Sequence, residues 1–167
     1  SSDLGGGNLL MAGFIKPHHP FDAPAPWSEL YNPDELSPLP GWLEEPLSRE
    51  TARSHGYYPH ETMTLPRLQR VMAQYYATIT QIDFHLGRMV ELLRQRGLYD
   101  DTLIVYTADH GEYMGFHHLL LKANYMYDPL IQVPLVMKLP GGARAGERPD
   151  VLASGIDLAP TILAQAG

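Results

Sequence analysis

The chain has 167 residues, with 12 Lys and Arg against 19 Asp and Glu, a formal net charge of −7, 44% hydrophobic residues and no cysteine. An acidic chain without a basic tract is a poor match for nucleic acid or an anionic membrane surface, since both are recognised by runs of Lys and Arg. Lack of cysteine removes disulfides and leaves the redox compartment unread. No apolar run approaches a membrane span, so a soluble chain with room for one domain and a modest core is expected.

Residues 1–8, Gly-rich at 5–7, are expected to form a flexible leader. Residues 8–15 carry Leu9, Leu10, Met11, Phe14 and Ile15 and are expected to be a buried strand. That strand runs into Lys16-Pro17-His18-His19-Pro20, where two prolines hold both histidines outside regular structure. Residues 21–65 are rich in proline and aromatics, including Trp27, Tyr31, Trp42, Tyr57 and Tyr58, without a sustained period. A long loop region with short helices follows, either a lid or substrate wall or, more commonly for tryptophans, a plug against a sheet face. His55 and His60 within it are read as surface residues.

From Pro66 to Arg96, the apolar residues Leu68, Val71, Tyr75, Ile79, Ile82, Leu86, Met89 and Leu93 recur at spacings of three and four. An amphipathic helix packed on a sheet is expected, with Pro66 in its first turn and Gly97 as its stop. Asp83 and His85 are read as polar groups on that helix without catalytic roles. Residues 102–108 are β-branched and apolar, a second expected buried strand that delivers Asp109 and His110 to its carboxyl end, where open α/β sheets place ligand sites. Residues 133–139 read as a third strand closed by Pro140-Gly141-Gly142. A last helix starts near Asp157 as its N-cap, with Pro160 in its first turn. Strand and helix alternate, which gives an α/β fold with a mixed or parallel sheet.

The run Thr107-Ala108-Asp109-His110-Gly111-Glu112 carries the clearest chemistry, with Lys122 thirteen positions after Asp109. A carboxylate beside an imidazole suits a divalent cation, and a lysine beyond it adds positive charge for a sulfate or phosphate oxygen. Together with His18-His19-Pro20, these segments resemble the sulfatases of the alkaline phosphatase superfamily and their relatives the phosphonate monoester hydrolases. Residues 76–91, 97–102, 127–136 and 157–163 are similar to further family segments, in order, so the resemblance spans about 8–167.

The resemblance implies part of an alkaline-phosphatase-like sandwich, with a mixed, mostly parallel sheet flanked by helices, and makes residues 9–167 a partial catalytic domain. It implies Asp109 and His110 as metal ligands, with calcium the first expectation and manganese or zinc favoured by the softer imidazole. His18 would contact the ester and protonate the departing oxygen, and Lys122 would stabilise charge on it. Lys16 and His117 are weaker substrate-binding candidates, and Glu112 a supporting carboxylate. Family members carry a Cys-x-Pro-x-Arg or Ser-x-Pro-x-Arg run whose first residue is oxidised to formylglycine. Neither run occurs here. The expected function is therefore hydrolysis of a small anionic sulfate ester in a complete protein, with the nucleophile in a missing N-terminal half of the domain and the isolated chain inactive. The alternatives are phosphonate monoester or phosphodiester hydrolysis by the same residues, and a non-catalytic metal-binding fragment.

Overall fold

A computed structural model of the chain describes residues 8–46, 62–122 and 124–166. The leader positions 1–7, His55, His60, Tyr57 and Tyr58 lie outside the described residues.

Helix α1, Leu65–Gln95, runs 31 residues and organises everything around it. It begins after Thr64 in extended conformation, with Pro66 in its first turn, where a missing N–H costs nothing. Its stop is a Schellman motif: Leu98 N–H reaches Leu93 C=O at 2.9 Å and Gly97 N–H reaches Arg94 C=O at 3.0 Å. Gly97 sits at φ +67°, the left-handed geometry that this cap requires.

The buried face of α1 is Leu68, Met72, Ala73, Ala77, Thr78 and Ile82. Leu68 and Ile82 of the expected stripe are buried, whereas Ile79 and Met89 are exposed and Met72, Ala73, Ala77 and Thr78 take part in the buried face instead. Short 3₁₀ turns at Trp27–Glu29 and Pro33–Glu35 pack on α1. Amide and hydroxyl side chains of α1 bond the loop's polar groups: Gln74 accepts from Ala23 N–H at 3.0 Å, Gln69 donates to Leu36 C=O at 2.9 Å, and Thr80 shares a 2.7 Å bond with the Tyr31 hydroxyl.

Trp42 joins Met63, Leu68, Met72, Met114, Leu120 and Leu121 in the main core, and Trp27 packs on Phe84 and His85 of α1. Both tryptophans therefore cover the helix rather than a sheet face.

Strand β1, Ile104–Thr107, pairs with β2, Leu135–Lys138, antiparallel, with Thr107 opposite Leu135. Among the described residues these are the two strands of one sheet, so the α/β class stands, and the pair they form is antiparallel where a mixed, mostly parallel sheet is expected. Neither strand is fully buried: β1 is half-buried and Val136 is 61% exposed. Residues 8–15 form no strand, and Leu9, Leu10, Met11 and Ile15 are each at least 80% exposed. The reason is physical, since an apolar segment becomes a strand only where a partner edge accepts its backbone groups.

Lys138 fixes the entry to β1. Its ammonium donates to the carbonyls of Tyr99, Asp100 and Thr102 and lies 4.5 Å from the Tyr99 ring centroid. After β2, Asp157 lies inside a 3₁₀ turn, Gly155–Asp157, and accepts from Ser154 N–H at 2.8 Å instead of capping from outside. Helix α3, Leu158–Ala166, follows it; the single turn Asp128–Ile131 is α2. No described helix is long and apolar enough to cross a membrane.

Candidate functional site

Strand β1 ends at Thr107, and the chain leaves the sheet through Ala108 into Asp109 and His110. The His110 ring is held by one bond, from Nδ1 to the Gly111 carbonyl at 2.8 Å. A carbonyl only accepts, so Nδ1 carries the proton and Nε2 presents its lone pair. That Nε2 lies 3.7 Å from Asp109 Oδ2. Two donors bound to one cation at roughly 2.0–2.5 Å each stand roughly 3–4 Å apart, so the pair has the spacing of neighbouring ligands. Asp109 is 89% exposed, which leaves the carboxylate open to an ion and to further ligands. Among the described residues no group of three or more His, Asp and Glu side chains converges on one point.

The segment after the pair is fixed from behind. Gly111 N–H donates to Leu130 C=O at 2.7 Å and Glu112 N–H to Pro129 C=O at 3.0 Å. A Cβ on Gly111 would stand 2.0 Å from the Pro129 oxygen, so only glycine permits this approach. The chain then turns through residues 113–121, stabilised by Tyr113 N–H to Leu121 C=O at 3.1 Å and Gly115 N–H to Leu119 C=O at 2.8 Å, and emerges at half-buried Lys122. Burial pushes the Glu112 carboxyl up to about 7, opposed by N–H bonds from Met114 and Leu121 and by the charges of Lys122 and His110.

His18 is exposed and similarly oriented: Nδ1 donates to the His19 carbonyl at 2.7 Å, which leaves Nε2 open. Its ring stacks on His19 at 4.0 Å. The His19 pKa is lowered, first by desolvation and then by His18, Lys122 and Lys16. Lys122 therefore acts electrostatically on the loop that carries His18, although more than a hundred positions separate them in the chain.

Two weaker candidates are otherwise engaged. The Lys16 ammonium is bonded to the Pro20 carbonyl and paired with Asp22, which spends its charge locally. The His117 Nδ1 lies 2.8 Å from Glu45 Oε2, its backbone N–H donates to Pro40 C=O at 3.0 Å, and its ring faces Phe116 and Tyr127. His118 Nε2 meets the Glu45 carbonyl at 2.6 Å. No local motif signals the partnership of Glu45 with two histidines of the turn, because the segments lie so far apart in the chain.

The model of the family described as Sulfatase matches residues 2–167. A multifunctional alkaline phosphatase superfamily protein from Trinickia caryophylli is 34% identical over 178 residues, covering 95% of this chain and 34% of that protein. The choline-sulfatase of Rhizobium meliloti is 29% identical over 163 residues, covering 95% and 31%. Among solved structures, a phosphonate monoester hydrolase from Silicibacter pomeroyi is similar at a TM-score of 0.73 and 31% identity, covering 92% of this chain and 32% of that one. The chain spans about a third of the length of these relatives. With the match running from residue 2 to residue 167 and its Asp-His pair set at the end of a strand, this chain belongs to the sulfatase family of the alkaline phosphatase superfamily.

Proposed function

We propose that the chain is part of the catalytic domain of a metal-dependent sulfuric ester hydrolase, in which Asp109 and His110 supply two metal ligands while His18 and Lys122 act on the substrate. The observation that carries it is the Asp109–His110 pair at the end of β1, with donor atoms 3.7 Å apart and the His110 tautomer fixed by Gly111. A divalent ion held there, calcium first and manganese or zinc as alternatives, would polarise an oxygen of the bound anion.

The chain's own residues account for binding and proton movement. Lys122 supplies a fixed positive charge toward the ester's anionic oxygens and its departing oxygen. His18 offers the free Nε2 as a proton donor to the departing alkoxide or phenoxide, a role suited to an imidazole near neutrality. His19, whose pKa is lowered, braces the His18 ring by stacking. The nucleophile belongs to the remaining part of the domain, as a formylglycine, because this chain contains no cysteine and no Ser-x-Pro-x-Arg run. That part would also complete the sandwich around β1 and β2 and cover the exposed apolar residues 9–15.

A phosphonate monoester or phosphodiester substrate is the second reading, favoured by the similarity to a phosphonate monoester hydrolase. Tetrahedral anions of sulfur and phosphorus demand similar charge and hydrogen-bond geometry. The test is turnover of an aryl sulfate and an aryl phosphonate monoester by the full-length gene product, with and without a chelator. Metal-dependent turnover of at least one is expected, falling by about 100-fold or more in Asp109→Ala and His18→Ala. Wild-type rates in either variant overturn the assignment of that residue.

A further inference from the structure

The loop that presents His18 has two unlike limbs. Its downstream limb is seated on α1: the Phe21 ring meets Tyr75 edge-on at 5.9 Å between centroids, Phe21 packs against the main core, and Ala23 N–H donates to the Gln74 side chain at 3.0 Å. The upstream limb, residues 9–15, carries no helix or strand and reaches the loop through a backbone bond from His18 N–H to Ile15 C=O at 3.2 Å. The Lys16 ammonium crosses from one limb to the other, donating to the Pro20 carbonyl and pairing with the Asp22 carboxylate.

His18 stands inside this bracket. The His19 carbonyl and ring settle the tautomer and tilt of its imidazole, and His19 in turn meets the Phe21 ring at 6.4 Å. The path of the backbone beneath the imidazole is set where the two limbs join. An ammonium has three donors, so Lys16 serves the Pro20 carbonyl and Asp22 together, and its charge is met within the loop. The two side chains are 35% and 69% exposed, so the pair adds little to overall stability and its effect is to be read in catalysis. We propose that Lys16 is a positioning residue for His18, closing the 16–22 loop through its bonds to Pro20 and Asp22, and is not a ligand of the substrate anion. This inference rests on the proton-donating role proposed above for His18.

The test is kcat/KM of the full-length gene product on a series of aryl esters whose phenols differ in acidity. Proton donation matters most for the least acidic phenols, so His18→Ala should cost most on those. Lys16→Met keeps the stem and removes the donors; it is expected to show the same gradient, about 10- to 30-fold on the least acidic phenol and less than about 3-fold on the most acidic. Asp22→Asn should show a smaller version of it, and Lys16→Arg should retain most of the activity. In a His18→Ala background Lys16→Met should cost less than about 3-fold on every ester, because the group it positions is gone. Asp22→Asn takes its place in the cycle if the methionine variant does not fold. A lysine that grips the substrate anion gives the opposite pattern, with equal losses across the series in both backgrounds and no loss in Asp22→Asn. That pattern, or wild-type rates in Lys16→Met, overturns the inference while leaving His18 in its role. A His18→Ala protein without the gradient overturns the role of His18, and its positioning by Lys16 with it.

Discussion

Replacing Gly111 by alanine tests whether the Asp109–His110 pair is held from behind by backbone contact. The added Cβ would lie 2.0 Å from Pro129 O, 3.0 Å from Pro129 C and 3.2 Å from Leu130 O, all backbone atoms that cannot rotate aside. Relief to an ordinary contact requires the two segments to part by about 1.4 Å. An opening of that size lengthens the Gly111 N to Leu130 O bond from 2.7 Å and the Glu112 N to Pro129 O bond from 3.0 Å beyond hydrogen-bonding distance. Losing both costs about 2 kcal/mol at about 1 kcal/mol each, with residual strain on top. The same movement displaces His110 and Glu112 on either side of the glycine. Urea unfolding of the full-length gene product should show the stability loss, and calorimetric titration with manganese or calcium should show weaker binding. A Gly111→Ala protein with wild-type midpoint and wild-type metal affinity would refute the close approach on which this rests.

Two further perturbations probe the packing around the site. Burial, followed by the charge of Glu112, raises the Tyr75 pKa from 10.0 to about 12. Between pH 10 and 12 the unfolded chain has lost the phenolic proton and the folded one has not, so stability falls as pH rises through that window and is unaffected below it. Tyr75→Phe should flatten the alkaline limb of a denaturant-midpoint profile; an unchanged slope would place the phenol in solvent. Glu45→Gln should loosen the contact with His117, but both side chains are substantially exposed, so the stability cost should stay within about 1 kcal/mol. Faster proteolysis within residues 40–46 is the more sensitive readout, and an unchanged cleavage rate would mean that the pair does not tether that segment.

The helix α1 was legible because several signals agreed: an apolar period of three and four, Pro66 at the start, and Gly97 where a left-handed residue had to follow. Its inner face was less so. Periodicity ranks large apolar residues as innermost, which holds for Leu68 and Ile82, but it passes over Ala73, Ala77 and Thr78, which are buried as well. Residues 8–15 show the opposite error, since their apolarity suits a strand but says nothing about which edge would pair with it. Asp109 and His110 were placeable from local pattern alone, as a strand followed by a polar pair and glycine. The links that hold them were not. Left-handed Met114, His117, His118 and Leu121 have no sequence signature, because the residue types that normally announce that conformation are glycine and asparagine. A turn built from the wrong residue types must be held by its partners, and here the partners are a carboxylate at one end, Glu112, and a distant one, Glu45, on its outer side. Strain of this kind beside a proposed catalytic lysine is where local propensity and fold disagree, and such disagreement is expected where a side chain must be held in place for chemistry rather than for stability.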